Sequence, residues 1–141
     1  MIALQAIPEA DFRLRVVCVD DNADLVQMLQ VMLHHQVDMD CVDVFTDPRP
    51  MLAYLDHTRP EKLPDVIVMD WTMPGVNAPK LIAEIVRRWP AVRVLVFSAY
   101  GDSIVDAAVE AGCWGVIGKQ AGMNRLAEGI RKVAHGEAAF G

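Results

Sequence analysis

The chain has 141 residues, 53% of them hydrophobic and 23% charged, with 19 acidic against 13 basic side chains and a net charge of −6. That composition describes one globular domain able to bury a core, and it excludes a disordered tail, a collagen-like fibre and a low-complexity linker. An acidic surface disfavours nucleic-acid binding, which needs clustered cations, and favours a metal ion or a basic partner.

Short β-branched runs alternate with amphipathic helical stretches along the chain. Val16 to Val19 reads as a first strand ending in Asp20-Asp21-Asn22, and Leu25, Met28, Leu29 and Met32 then mark one helix face. Cys41 to Phe45 reads as a second strand, and Asp43 within it points to an edge position. Asp47 is placed to cap a short helix through Met51, Leu52 and Leu55, with Pro48 where its missing N–H is harmless. Val66 to Met69 is uninterrupted apolar sequence closed by Asp70, the pattern of a strand buried on both faces.

Leu81, Ile82, Ile85 and Val86 mark the next helix, which stops at Trp89-Pro90. Val92 to Phe97 reads as a fourth strand closed by Ser98. Asp102 or Ser103 is expected to cap a helix through Ile104 to Ala111, with Gly112 as its left-handed terminator. Val116-Ile117 reads as a fifth strand leading to Lys119, and Asn124 is expected to cap a last helix through Leu126, Ile130 and Val133. Five βα units in a row predict an α/β fold, three-layered and doubly wound, with a parallel sheet covered on both faces.

The remaining composition narrows the chemistry. Cys18, Cys41 and Cys113 are odd in number, lack a Cys-x-x-Cys pair and fall in apolar stretches, so they read as small core residues in a reducing cytoplasm. His34, His35, His57 and His135 show no metal-ligand spacing. Met1 to Ile7 lacks the basic start and long apolar run of a signal peptide, and no apolar run approaches the ~20 residues that cross a membrane. A soluble cytoplasmic protein is the expectation.

In doubly wound sheets the ligand crevice lies beyond the carboxyl ends of the strands. Here those ends carry Asp20-Asp21, Asp70, Ser98 and Lys119. Taken singly, the acidic pair reads as a helix cap, Asp70 as a turn residue, Ser98 as a loop hydroxyl and Lys119 as a solvated charge. Together they describe an acidic cup with a cation beside it. Mutually repelling carboxylates favour a hard dication such as Mg²⁺, which keeps waters for exchange with a phosphate. Asp70 is then a nucleophile that can accept a phosphoryl group, with Lys119 supplying charge and Ser98 a hydrogen bond.

Over roughly residues 14 to 136 the chain resembles the receiver domain of two-component response regulators. The resemblance rests on Val-Asp-Asp-Asn after strand one, Met-Asp-Trp-Thr-Met-Pro-Gly from Met69 to Gly75, Phe-Ser-Ala-Tyr from Phe97 to Tyr100, and Gly118-Lys119. It implies a flavodoxin/CheY-like sheet of five strands in the order 2-1-3-4-5. Residues 1–13 would be an N-terminal extension and 137–141 a tail or the start of a linker.

It implies further that Asp20, Asp21, Asp70 and the carbonyl of Thr72 hold Mg²⁺, and that Asp70 takes phosphoryl from a sensor histidine kinase. Lys119 would pair with that group and Ser98 would move to bond it, shifting a population between two conformations. Such a domain is a signalling module that hydrolyses its phosphate slowly, not a turnover enzyme. The close of the last helix, Val133 to Glu137, is similar to the NarL/FixJ branch, whose members continue into a helix-turn-helix domain. Output through transcription is thus expected, with no DNA binding by this chain alone, a homodimer as a further partner relation and no membrane contact. A stand-alone receiver and a piece of a transcription factor both stay open.

Three positions depart from the family pattern. Val116 stands where an aromatic switch residue is usual, close to the bulky Trp114. Gln120 follows Lys119 where proline is common, and Asn77-Ala78-Pro79 replaces the usual Asp-Gly. Tyr100 is expected to overhang the phosphoryl site and Trp71 to report on it. Other readings are a phosphohydrolase, disfavoured by Thr72 where an acid is needed, a receiver that has lost its chemistry and only binds protein, and a flavodoxin-like cofactor binder.

Overall fold

Apolar side chains alternate across each central strand, and helices cover both faces of the sheet, so both halves of the alternation are buried. The computed structural model describes residues 13–141. The expected N-terminal extension, Arg13 aside, lies outside the described residues. The elements are β1 (Leu14–Val19), α1 (Ala23–His34), β2 (Met39–Phe45), α2 (Pro48–Asp56), β3 (Val66–Met69), α3 (Ala78–Arg88), β4 (Arg93–Ser98), α4 (Val105–Ala111), β5 (Gly115–Gly118), α5 (Met123–Ala134) and β6 (Ala139–Phe140).

Val16, Cys18, Val66, Val68, Leu95, Phe97 and Ile117 face α1 and α5, where Leu29, Leu33, Leu126 and Ile130 complete one core. Val17, Val19, Ile67, Met69, Val94, Val96 and Val116 face the opposite way, onto α2, α3 and α4 through Met51, Leu55, Ile82, Ile85 and Ala108. This is the three-layered, doubly wound arrangement expected of consecutive right-handed βα units.

The sheet corrects the expected strand count. It has six strands in the order β2-β1-β3-β4-β5-β6, all adjacent pairs parallel. The sixth lies in the segment read as a tail. It is only two residues long and carries no β-branched residue, so it has no pattern signal of its own. As Asp43 suggested, β2 is an edge strand, and an irregularity between Val16 and Val17 shifts its register on β1.

Asp47 caps α2 by accepting the Arg49 N–H at 2.8 Å, and Gly112 ends α4 with φ +115°. Two expected caps are not made. A turn of 3₁₀ helix, Gly101–Ile104, precedes α4, and the Ser103 hydroxyl donates to the Tyr100 carbonyl at 3.0 Å, not onto the helix end. The chain enters α5 through Gly122, at φ +93°, which leaves Asn124 inside the first turn.

The loop after α1 is tied to α5 by charge. Arg131 donates to both carboxylate oxygens of Asp38, at 2.7 and 3.0 Å, and to Gln36 Oε1 at 2.7 Å. Hydrogen bonding to that guanidinium holds the Asp38 carboxyl below its ordinary range, against a small opposing effect of burial. A depressed carboxylate stabilises the fold above its unfolded pKa of ~3.9 and loses that contribution as pH falls through the folded value. Asp38→Asn should therefore lower the Tm at pH 7, within the ~0.2–1 kcal/mol typical of partly exposed pairs. In thermal melts across pH the gap to the wild type should begin to close below about pH 4.

Candidate functional site

The carboxyl ends of β1, β3, β4 and β5 lie side by side in the sheet and bring Asp20, Asp70, Ser98 and Lys119 to one rim. The backbone fixes the two acids before their side chains matter. The Asp20 N–H donates to the Phe45 carbonyl and the Asp70 N–H to the Val19 carbonyl, each at 3.0 Å, so both residues prolong the ladder of their strands. Asp20 is 3% exposed and Asp70 6%, whereas Asp21 points into solvent. One carboxylate oxygen from each of Asp20, Asp21 and Asp70 lies within 4.8 Å of the others.

Asp20 is held at both oxygens. Its Oδ1 accepts the Asn22 N–H at 2.9 Å and its Oδ2 accepts Lys119 Nζ at 2.7 Å. Asn22 in turn caps α1 by accepting the Leu25 N–H at 3.1 Å. The residue after the acidic pair thus starts the helix and orients the inner acid together. Lys119 Nζ also stands 3.3 Å from Asp70 Oδ1, so one ammonium spans both buried carboxylates.

The electrostatics follow from that geometry. Burial and, after it, the negative charge of Asp20 push the Asp70 carboxyl above its ordinary range, while Lys119 and the Thr72 backbone N–H act the other way. For Lys119 burial is the largest single influence and disfavours the ammonium. The hydrogen bond to Asp20 and the charges of Asp70 and Asp20 outweigh it, so the pKa is raised and the amine stays charged. Three carboxylates and one ammonium leave the cluster short of positive charge. An all-oxygen donor set with that deficit fits a hard divalent cation such as Mg²⁺.

Ser98 is fully buried at the end of β4, and its Oγ accepts the Tyr100 N–H at 3.0 Å. The acceptor side of the hydroxyl is thereby engaged and its hydrogen is the group left to donate. Tyr100 is 60% exposed and reaches the site through this backbone bond. Thr72 is exposed, with its backbone N–H favouring the charged form of the Asp70 carboxyl, and Trp71 is half-buried against the α2–α3 side of the core. Asn77 caps α3 by accepting the Lys80 N–H at 3.1 Å, so the departure from Asp-Gly at this point leaves the helix start intact. The Lys119–Gln120 peptide is trans, like every other among the described residues.

Val116 is buried within the apolar layer facing α4 and carries no polar group toward the rim. Trp114 has a partner that sequence reasoning missed. The Arg93 guanidinium lies 4.5 Å from its ring centroid and donates to the Val133 and Ala134 carbonyls at 3.0 and 3.1 Å. An Arg at a strand start and a Trp before the next strand carry no spacing signal, because only strand pairing brings them together.

Because the Asp70 carboxylate is disfavoured by its surroundings, removing its charge should relieve the fold. Asp70→Asn is expected to raise the Tm in metal-free buffer at pH 7, while Asp21→Asn, at an exposed position, leaves it close to the wild type. Differential scanning calorimetry of the two variants checks the ordering.

The model of the response regulator receiver domain matches residues 16–131. The chain is 28% identical over 127 residues to the transcriptional regulatory protein DegU of Brevibacillus brevis, covering 89% of this chain and 52% of that protein. It is 30% identical over 112 residues to a protein-glutamate methylesterase/protein-glutamine glutaminase of Albidiferax ferrireducens, covering 76% of this chain and 28% of that protein. The chain thus spans about half or less of the length of these relatives. Among solved structures, the signal receiver domain of the response regulator NarL from Mycobacterium tuberculosis superposes with a TM-score of 0.76 at 26% identity, over 89% of this chain and 98% of that one. The chain belongs to the response regulator receiver family, and its likeness to the NarL receiver lies on the NarL/LuxR side of that family.

Proposed function

We propose that this domain, over residues 14–136, is a phosphoacceptor in which Asp70 takes a phosphoryl group from a phosphohistidine of a sensor histidine kinase. The observation that carries the reading is the single Lys119 ammonium set across Asp20 and Asp70, at 2.7 and 3.3 Å, in a pocket short of positive charge. In the transfer an Asp70 carboxylate oxygen forms the bond to phosphorus as the bond to the imidazole nitrogen breaks, and the electron pair leaves with that nitrogen. Lys119 neutralises the phosphoryl oxygens that arrive beside it, and the Ser98 hydroxyl donates to one of them.

Asp20, Asp21, Asp70 and the Thr72 carbonyl are the groups that would hold Mg²⁺. When bound, the ion supplies the positive charge that the three carboxylates lack and screens the incoming phosphoryl group from them. The work of the chain itself is to keep Asp20 fixed through Asn22, to keep Asp70 nearly dry, and to hold the lysine charged.

The domain is a signalling part and not a turnover catalyst. Its output lies in sequence of the kind its relatives carry beyond the matched region, and the DegU likeness favours transcription, with DNA contacted by another domain. Homodimerisation of the phosphorylated form fits that output. Since Val116 is aliphatic, Ser98 and Lys119 must move the β4 and β5 ends without a rotating aromatic ring.

Intact-mass spectrometry after incubation with acetyl phosphate tests the reading. One phosphoryl group should be added to the wild type only with Mg²⁺ present, and none to Asp70→Asn. No adduct in the wild type would leave a protein-binding domain that has lost its chemistry. Mg²⁺ alone should stabilise the wild type by linkage, by about 2.7 kcal/mol at a hundredfold excess over its Kd, seen as a raised Tm, and the gain should be lost in Asp20→Asn.

A further inference from the structure

The sixth strand is built into the sheet by residues that have no other role at the site. The Arg93 guanidinium on the last carbonyls of α5 and the Trp114 ring fix where the chain leaves the helix. Gly136, at φ +84°, then turns it back, and the Glu137 N–H closes on the Lys132 carbonyl at 2.9 Å. Bonds at both ends of the β5–β6 ladder seat the returning segment along β5. The Ala139 N–H donates to Trp114 at 3.2 Å, the Gly141 N–H to Val116 at 3.1 Å, and the Gly118 N–H to the Gly141 oxygen at 3.3 Å.

Ala139 is 3% exposed and belongs to the core. Gly115 makes the approach possible, because a Cβ there would stand inside the Ala139 carbonyl oxygen. The segment is therefore docked in a prepared seat, on the strand that carries Val116 and leads directly into Lys119.

Gly118 links that seat to the chemistry. It pairs in register with Ser98 on β4 and directly precedes Lys119, so both groups that would contact a phosphoryl border this one residue. Its N–H reaches the Gly141 oxygen at 3.3 Å, the longest of the bonds just named. Asp20 and Asp70 lie beyond β4, on the far side of β5 from β6.

A phosphoryl on Asp70 would take the Ser98 hydroxyl toward β3 and release Lys119 from its nearer partner Asp20, and both changes would be felt at Gly118, which pairs with Ser98 and precedes Lys119. We propose that residues 137–141 form a latch on β5 that phosphorylation of Asp70 loosens, so that the signal leaves the domain through this segment. The inference rests on the phosphoacceptor reading above and adds to it the element that moves.

Amide hydrogen exchange followed by NMR on the full chain tests the latch, with beryllium trifluoride and Mg²⁺ as the phosphoryl mimic. On adding the mimic, exchange at Ala139 and Gly141 should quicken by about tenfold or more while the β1 and β3 amides stay protected. Coupling is reciprocal, so loosening the latch must in turn favour the mimic. Gly115→Ala, which pushes on the Ala139 carbonyl, should expose the Ala139 and Gly141 amides without the mimic and tighten its binding roughly fivefold. Ala139→Asp, which drives the segment out with a buried charge and leaves β5 itself unaltered, should do the same if Gly115→Ala folds poorly.

Binding of the mimic with unchanged exchange at 139 and 141 overturns the latch alone. So does a variant whose segment is free but whose affinity equals the wild type. Failure of the wild type to bind the mimic overturns the phosphoacceptor reading and the latch with it.

Discussion

Two carboxylates side by side at the ends of adjacent parallel strands repel one another, and burial makes each of them harder to ionise. Everything at this rim is organised around that conflict. Asp20 and Asp70 are nearly dry and share a single ammonium, that of Lys119, brought from a strand two places further along the sheet. One ammonium cannot compensate three acids, and the surplus of negative charge suits the pocket to a hard dication. A cluster satisfied within itself would have no such demand. The pocket is therefore held partly unsatisfied by the packing of the rest of the domain, whose two apolar layers fix the strand ends.

The lysine makes this arrangement responsive as well as receptive. It sits between Asp20 and Asp70, nearer to Asp20. Any anionic group added to Asp70 changes the best position for that ammonium, and Lys119 follows the last residue of β5 directly. The buried Ser98 is similarly placed on β4, with its acceptor side already engaged by Tyr100. Both groups sit at the very ends of their strands, so a displacement of either bears directly on that strand end. This explains how an aliphatic Val116 is compatible with signalling. The displacement needs no ring to turn if the strand end itself is the moving part.

Most of this was legible in the sequence, for reasons that differ between elements. The buried strands announced themselves because Val16–Val19 and Val66–Met69 are apolar on both faces, which only a sheet covered twice can use. The site was legible because in such a sheet chemistry collects at strand ends, so scattered residues could be placed on one rim by topology alone. What escaped were contacts that depend on side-chain reach or on the neighbour across a strand pair. The expected caps at Ser103 and Asn124 failed because Ser103 found the Tyr100 carbonyl and because Gly122 already gave the chain its entry angle. Local cap chemistry competes with backbone turns, and residue type alone does not say which prevails.

The sixth strand shows the same limit more sharply. Ala139–Phe140 has no strand pattern, and nothing at 137–141 announces pairing. The information lies elsewhere, in Gly115, in Trp114 and in Arg93, each of which looks unexceptional or merely odd until the strand is present. Gly115 reads as a weak point in a short strand, since glycine there forfeits side-chain packing and costs backbone entropy. In the folded domain it is the residue that lets a second backbone come close. A locally unfavourable choice at the strand leading into Lys119 is thus explained by a tertiary contact, which joins residues 139–141 to the strand that ends in the lysine of the site.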